Sequence, residues 1–248
     1  MSITRITATD ICLDFRLRKP SLFDFVKTKS SSKDEFTFRA IDNISFEIKA
    51  GDKVGLIGKN GAGKSTLLKL LSGVLEPTDG ELVSIGETFP LLNLSADIVS
   101  QASCLQNIKL TGLLRGFKGQ DLDAYIETVK ESADIDRFLL SPVSTLSTGM
   151  KTRFLISLIG ELSPQILVMD EWIGTTDTSF IEQKENKFNR LISSADIFIL
   201  ATHNRELIRR MCNKIMFVDQ GKLVYFGNVT EGYRQFNQML GLGKYRDK

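Results

Sequence analysis

Gly58-Lys59-Asn60-Gly61-Ala62-Gly63-Lys64-Ser65-Thr66 holds the densest chemistry in the chain. It fills the spacing G-x-x-x-x-G-K-[ST] between a short apolar stretch, residues 53–57, and a leucine-rich helical pattern, residues 67–71. Glycines at these positions let the backbone curl with its N–H groups inward at a helix N-terminus, a nest for phosphate oxygens. Lys64 then reaches the β- and γ-phosphates of a nucleoside triphosphate, and the Ser65 hydroxyl ligates Mg²⁺. A chance glycine-rich turn would not also set Lys and Ser in register.

Ile166-Leu167-Val168-Met169 ends in two carboxylates, Asp170 and Glu171. An apolar run this short reads as a buried parallel strand with acids at its C-terminal edge, where α/β sheets place ligands. Asp170 is the candidate for Mg²⁺, directly or through water. Glu171 is the candidate general base or water-positioner. Solvated acids at a strand end are common, but not downstream of a phosphate loop. His203 is the only histidine and follows a second apolar run, residues 197–200, at a position from which it reaches a γ-phosphate. Leu146-Ser147-Thr148-Gly149-Met150 precedes a helix predicted over 151–162. Ser147 or Thr148 is its N-cap, and the same helix end is a ready anion site.

The elements that must carry these residues follow from periodicity. Residues 3–17 and 37–50 alternate and predict strands of an antiparallel sheet. Residues 18–36 contain Pro20, an aromatic patch (Leu22, Phe23, Phe25) and a Ser/Lys tract. The tract reads as a loop, the patch as a short packed helix or an exposed docking surface. From Lys53 strands alternate with helices, the mark of a parallel α/β core. Two helical stretches, 105–114 and 122–139, and the helix at 151–162 interrupt it as a helical insert spanning roughly 95–162. A strand at 165–170, a helix near 178–193, a strand at 197–201, a hairpin at 214–226 turning at Asp219-Gln220-Gly221, and a helix near 229–240 complete the order.

Composition narrows the function classes. The 248 residues suit one large domain. Basic residues number 32 against 30 acidic, a balance that argues against a nucleic-acid groove. Three scattered cysteines lack metal-ligand spacing and fit free thiols in a reducing compartment. No apolar run approaches the ~18–20 residues that span a bilayer, so membrane contact is expected only through a partner.

Phosphate loop, helical insert, Leu-Ser-Thr-Gly-Met, Asp-Glu and His, in that order, resemble the nucleotide-binding subunits of ATP-binding cassette (ABC) transporters across nearly the whole chain. The resemblance implies one ABC ATP-binding domain over 1–248: an α/β P-loop NTPase core, an antiparallel β-subdomain and an inserted helical subdomain. It implies ATP and Mg²⁺ as ligands. It also implies a head-to-tail homodimer with ATP between Lys64 of one copy and Ser147, Thr148 and Gly149 of the other. Phe15 matches the aromatic that stacks on adenine, and Asp177 the aspartate that communicates across the dimer. The helical arm would grip a transmembrane permease, with the chain peripheral on the cytoplasmic face of the inner membrane.

Departures from the common pattern point to a branch. The usual signature is Leu-Ser-Gly-Gly-Gln, whereas Thr148 and Met150 stand here. The usual Q-loop glutamine has no clear counterpart. Asn93, in Leu91-Leu92-Asn93-Leu94-Ser95, is one candidate, also for the metal, and Gln101 a second. These departures, Asp170-Glu171-Trp172-Ile173-Gly174, and the 18–36 insert with a short membrane-facing helix at Ser21–Val26 are similar to exporters of surface polysaccharide: O-antigen, capsule or teichoic acid. With a hairpin and one helix following the core, the chain is expected to lack the C-terminal carbohydrate-binding domain that some O-antigen members carry. A soluble ABC-type ATPase of cofactor or complex assembly is the alternative. The tandem cassettes of translation-type members and the coiled coil of repair-type members are missing. A small-molecule kinase would leave the signature, Glu171 and His203 without roles.

Overall fold

The structure, a computed structural model, describes residues 3–18, 35–92, 98–160, 164–170 and 189–241. The predicted aromatic patch, Asn93, Glu171 through Gly174, Asp177 and most of the helix expected near 178–193 lie outside the described residues; residues 189–194 are helical.

Apolar runs become the interior of a six-stranded sheet ordered β5-β6-β7-β3-β8-β9. Its members are β3 (Lys53–Ile57), β5 (Thr88–Leu91), β6 (Ile166–Asp170), β7 (Ile197–Ala201), β8 (Lys214–Asp219) and β9 (Lys222–Asn228). β5, β6, β7, β3 and β8 run parallel, and β9 returns antiparallel to β8. Strands covered on both faces must be apolar throughout, and β7 is buried at all of its positions. The β8–β9 turn is tight because Gln220 and Gly221 both take positive φ, 47° and 76°, which matches the right-handed twist of the flanking strands.

A second, three-stranded antiparallel sheet, β2-β1-β4, comprises β1 (Arg5–Arg18), β2 (Glu35–Lys49) and β4 (Asp79–Ile85). β4 and β5 were not evident from periodicity: β4 is largely solvent-facing and carries little alternation to read. Register shifts between Ala8 and Asp14 re-aim β1, so that Ile6 and Ala8, then Ile11 and Leu13, all face one core. That core also takes Ile41, Ile44 and Ile48 of β2 and Leu67, Leu68, Leu70 and Leu71 of α1 (Lys64–Leu71).

The helical arm contains α2 (Cys104–Leu114), α3 (Gln120–Ala133) and α4 (Thr148–Gly160). Ser103 and Gln106 close a reciprocal capping box at the start of α2. Buried Asn107 holds the turn before it by bonding Val99, Ala102 and Ser103. The expected helix 122–139 stops at Ala133, a correction with a local cause. Asp134 takes a left-handed conformation (φ 52°), one that Asp tolerates, and Arg153 of α4 donates to its carboxylate at 3.0 Å. The reversal drops Ile135 into the arm's own apolar cluster, beside Tyr125, Val129, Phe154 and Leu158. Two further helices, α5 (Arg205–Met211) and α6 (Val229–Met239), flank the β8–β9 hairpin in sequence.

Candidate functional site

Strand register assembles the site. Asp170 pairs with Ala201, and Ala201 with Leu56, so the carboxyl ends of β6, β7 and β3 are level. His203 follows Ala201 by two residues and Gly58 follows Leu56 by two. Three segments remote in sequence therefore open on one edge of the sheet, the edge where α/β folds bind ligands.

The cleft there measures about 800 Å³, within the range of small-molecule sites. Asn60, Gly61, Gly63, Lys64, Ser65, Thr66, Asp170 and His203 all line it. Gly63 stands at φ 104°, a left-handed geometry that L side chains rarely adopt, and starts α1 with no side-chain cap on its first turn. Those first-turn N–H groups have no intrahelical acceptors, which suits an anion. The Lys64 ammonium donates to the Gly58 carbonyl at 2.9 Å and the Lys59 carbonyl at 3.0 Å, arching back over the loop.

Backbone contacts hold that loop. Gly221 in the β8–β9 turn donates to the Ala62 carbonyl at 2.9 Å and accepts from the Asp42 N–H at 2.9 Å. Ala62 itself is buried. A Cβ on Gly58 would come within 2.3 Å of the Val218 carbonyl, so β8 excludes any side chain there.

The resemblance implied Phe15 as the aromatic that stacks on adenine; Phe15 is partly buried against the main core and is not among the described residues that line the cleft. Among the described residues the aromatic in the wall is Phe38 of β2, with Ala40 and Leu92 also lining it. Phe38 and Ala40, two residues apart on β2, both line the cleft. Gln101 is exposed in the turn before α2, away from the cleft wall.

Ser147, Thr148 and Gly149 are exposed at the N-terminus of α4 and take no part in this cleft. Ser147 is the N-cap: its hydroxyl accepts from the Met150 N–H at 3.3 Å, and its carbonyl accepts from the Lys151 N–H at 2.8 Å. The helix itself begins at Thr148 rather than Lys151.

Known proteins bear on this geometry. A family model described as "ABC transporter" matches residues 41–174, from the second strand through the acidic strand end. The chain belongs to the ABC transporter family. It is 39% identical over 189 residues to the O-antigen export system ATP-binding protein RfbE of Yersinia enterocolitica, covering 76% of this chain and 79% of that one. It is 31% identical over 204 residues to the teichoic acids export ATP-binding protein TagH of Listeria innocua, covering 82% of this chain but only 61% of that one. Among solved structures, a dimeric ATP-binding cassette in a post-hydrolysis state bound to ADP and Pi superimposes with a TM-score of 0.67. It is 17% identical and covers 90% of this chain and 98% of that chain. That likeness is one of fold: the P-loop NTPase cassette with its mixed sheet and helical subdomain. As an ABC cassette, the chain carries the family's ATPase domain. Among the described residues no helix is long and apolar enough to cross a membrane.

Proposed function

We propose that this ABC cassette is the ATP-hydrolysing subunit of an exporter of a surface polysaccharide of the O-antigen, capsule or teichoic acid type. The observation that carries the ATPase reading is the meeting of Lys64, Ser65, Asp170 and His203 in one cleft. The relatives named for O-antigen and teichoic acid export support the choice of cargo.

In this reading the loop amides and Lys64 bind the β- and γ-phosphates. A hydroxyl and a carboxylate on one wall are hard oxygen donors that fit Mg²⁺, so Ser65 and Asp170 would hold it. The ion would neutralise charge on the phosphates. Glu171, the residue after Asp170, takes the proton of the attacking water or orients it, and His203 contacts the γ-phosphate. Ser147, Thr148 and Gly149 of a second copy close over the same nucleotide, with Asp177 communicating across the joint. ATP favours this closed homodimer and ADP does not. That difference in affinity is what drives a separate transmembrane permease from the cytoplasmic face of the plasma membrane.

Glu171→Gln tests the scheme. Removal of a general base lowers turnover about 10²–10⁴-fold, while ATP affinity stays and an ATP-dependent dimer accumulates on size-exclusion chromatography. Unchanged turnover in this variant would refute the base, and persistence of export in cells lacking the chain would refute the cargo.

A further inference from the structure

His203 stands between two residues whose side chains bond the main chain around it. Before it, Thr202 is buried, and its hydroxyl accepts from the Asn204 N–H at 3.2 Å. After it, the Asn204 side chain accepts from the Glu206 and Leu207 N–H groups at 3.0 and 3.2 Å and so caps α5. His203 itself is exposed and lies in the bend between them. A hydroxyl or carboxamide that bonds the backbone two residues on fixes a turn. Two such bonds in succession leave the backbone of His203 little choice of path.

Both ends of this bend are anchored to the sheet that carries the phosphate loop. Ala201, just before Thr202, pairs with Asp170 on one side and with Leu56 on the other. α5 seats through Ile208, which is fully buried and so close to β3 that a Cβ on Gly55 would stand 2.7 Å from its side chain. Gly55 lies three residues before Gly58, where the loop begins. The bend therefore hangs between β7 and a helix pressed onto the strand that leads into the loop.

We propose that Thr202 and Asn204 are positioning residues for His203, holding its imidazole where turnover of the bound nucleotide needs it. This rests on reading the cleft as a triphosphate site with His203 at the γ-phosphate. Neither Thr202 nor Asn204 is among the described residues that line the cleft, so each acts through His203 and not on the nucleotide. A misplacement of about 1 Å costs about 10²-fold in rate. Ground-state affinity comes from the loop amides and Lys64 and does not depend on the bend.

Turnover of the full chain at saturating ATP, with ATP affinity measured by calorimetry without magnesium, tests the pair. Asn204→Ala should lower kcat about 10- to 100-fold at unchanged ATP affinity, and Asn204→Asp, which keeps an acceptor for the α5 amides, should restore it. Thr202→Val removes the other acceptor and leaves the cap in place. It should lower kcat by a smaller factor, which decides the matter should Asn204→Ala not fold. In a His203→Ala background, read in single-turnover assays that resolve residual rates, Asn204→Ala should lower turnover no further, because its whole effect runs through the imidazole. An equal fold loss with and without His203, a parallel fall in ATP affinity, or failure of Asn204→Asp to restore turnover marks a cap that serves only the fold and overturns the assignment. So does full turnover in both Asn204→Ala and Thr202→Val. Full turnover in His203→Ala contradicts instead the reading of the cleft, and the assignment falls with it.

Discussion

Around the phosphate loop backbone holds backbone, whereas in the helical arm side chains hold helices. Ala62 is tied to Gly221, Gly221 to Asp42, and Gly58 abuts the Val218 carbonyl, so the loop has almost no freedom of shape. The arm instead rests on a separate apolar cluster centred on Phe154 and on side-chain bonds such as Tyr125 to the Leu158 carbonyl at 2.7 Å and Arg153 to Asp134 at 3.0 Å. On the proposed reading the loop presents N–H groups to a fixed anion, which needs a rigid frame, while the arm meets another molecule and needs only to stay together as a unit. α4 links the two regions, because its Ile156 and Ile159 belong to the cluster against the sheet while Phe154 and Leu158 belong to the arm. Arg115, stacked 4.6 Å over Phe89 of β5, adds a second tie.

Breaking the arm should have the largest effect. Phe154 is fully buried, and Phe154→Ala should cost about 3–5 kcal/mol, measured by denaturant unfolding. Hydrogen exchange sharpens the contrast. Amides of α2 and α3 should lose protection while those of β3, β7 and β8 keep it. Uniform loss across both regions would show one cooperative unit and end the distinction.

Gly58→Ala attacks the other side. Its Cβ has nowhere to go against the Val218 carbonyl, so about 1–3 kcal/mol of stability should go. ATP affinity should fall with it, because the loop can accommodate a methyl group only by changing shape. Normal affinity in a folded variant would show the loop to be adaptable.

Ser147→Ala removes the cap of α4 and should cost about 1 kcal/mol. ATP binding to the isolated chain should not change, since Ser147 takes no part in the cleft. A drop in monomer affinity would mean that signature and cleft belong to one site within a single chain.

The smallest effect concerns the thiols. Burial pushes the Cys212 thiol up to about 12 and raises that of Cys104 as well. Thiolate is the reactive form, so neither should alkylate at pH 8 until the chain is unfolded. The folded chain keeps a proton on Cys212 that the unfolded chain loses above about 9, so this group lowers stability as pH climbs from 9.0 toward 12. Rapid labelling of Cys212 in native protein would contradict its burial against the sheet.

Much of the molecule was legible from residue order alone. The phosphate loop needs its glycines and Lys64 at fixed spacing, and buried parallel strands need uninterrupted apolar runs, so local pattern and final structure agree. His203 was legible for the same reason, lying just past such a run. The strands β4 and β5, the stop at Asp134 and the wall residue Phe38 were not. Each depends on what lies across from it: β4 on a neighbour it pairs with, Asp134 on Arg153, and Phe38 on its cross-strand neighbour Phe15, which packs partly buried against the main core. The amino-acid order by itself determined which residues of the glycine-rich loop line the cleft, because their spacing is local. Only the tertiary structure decided which of two phenylalanines meets the cleft, because both occupy the same face of one hairpin and packing alone tells them apart.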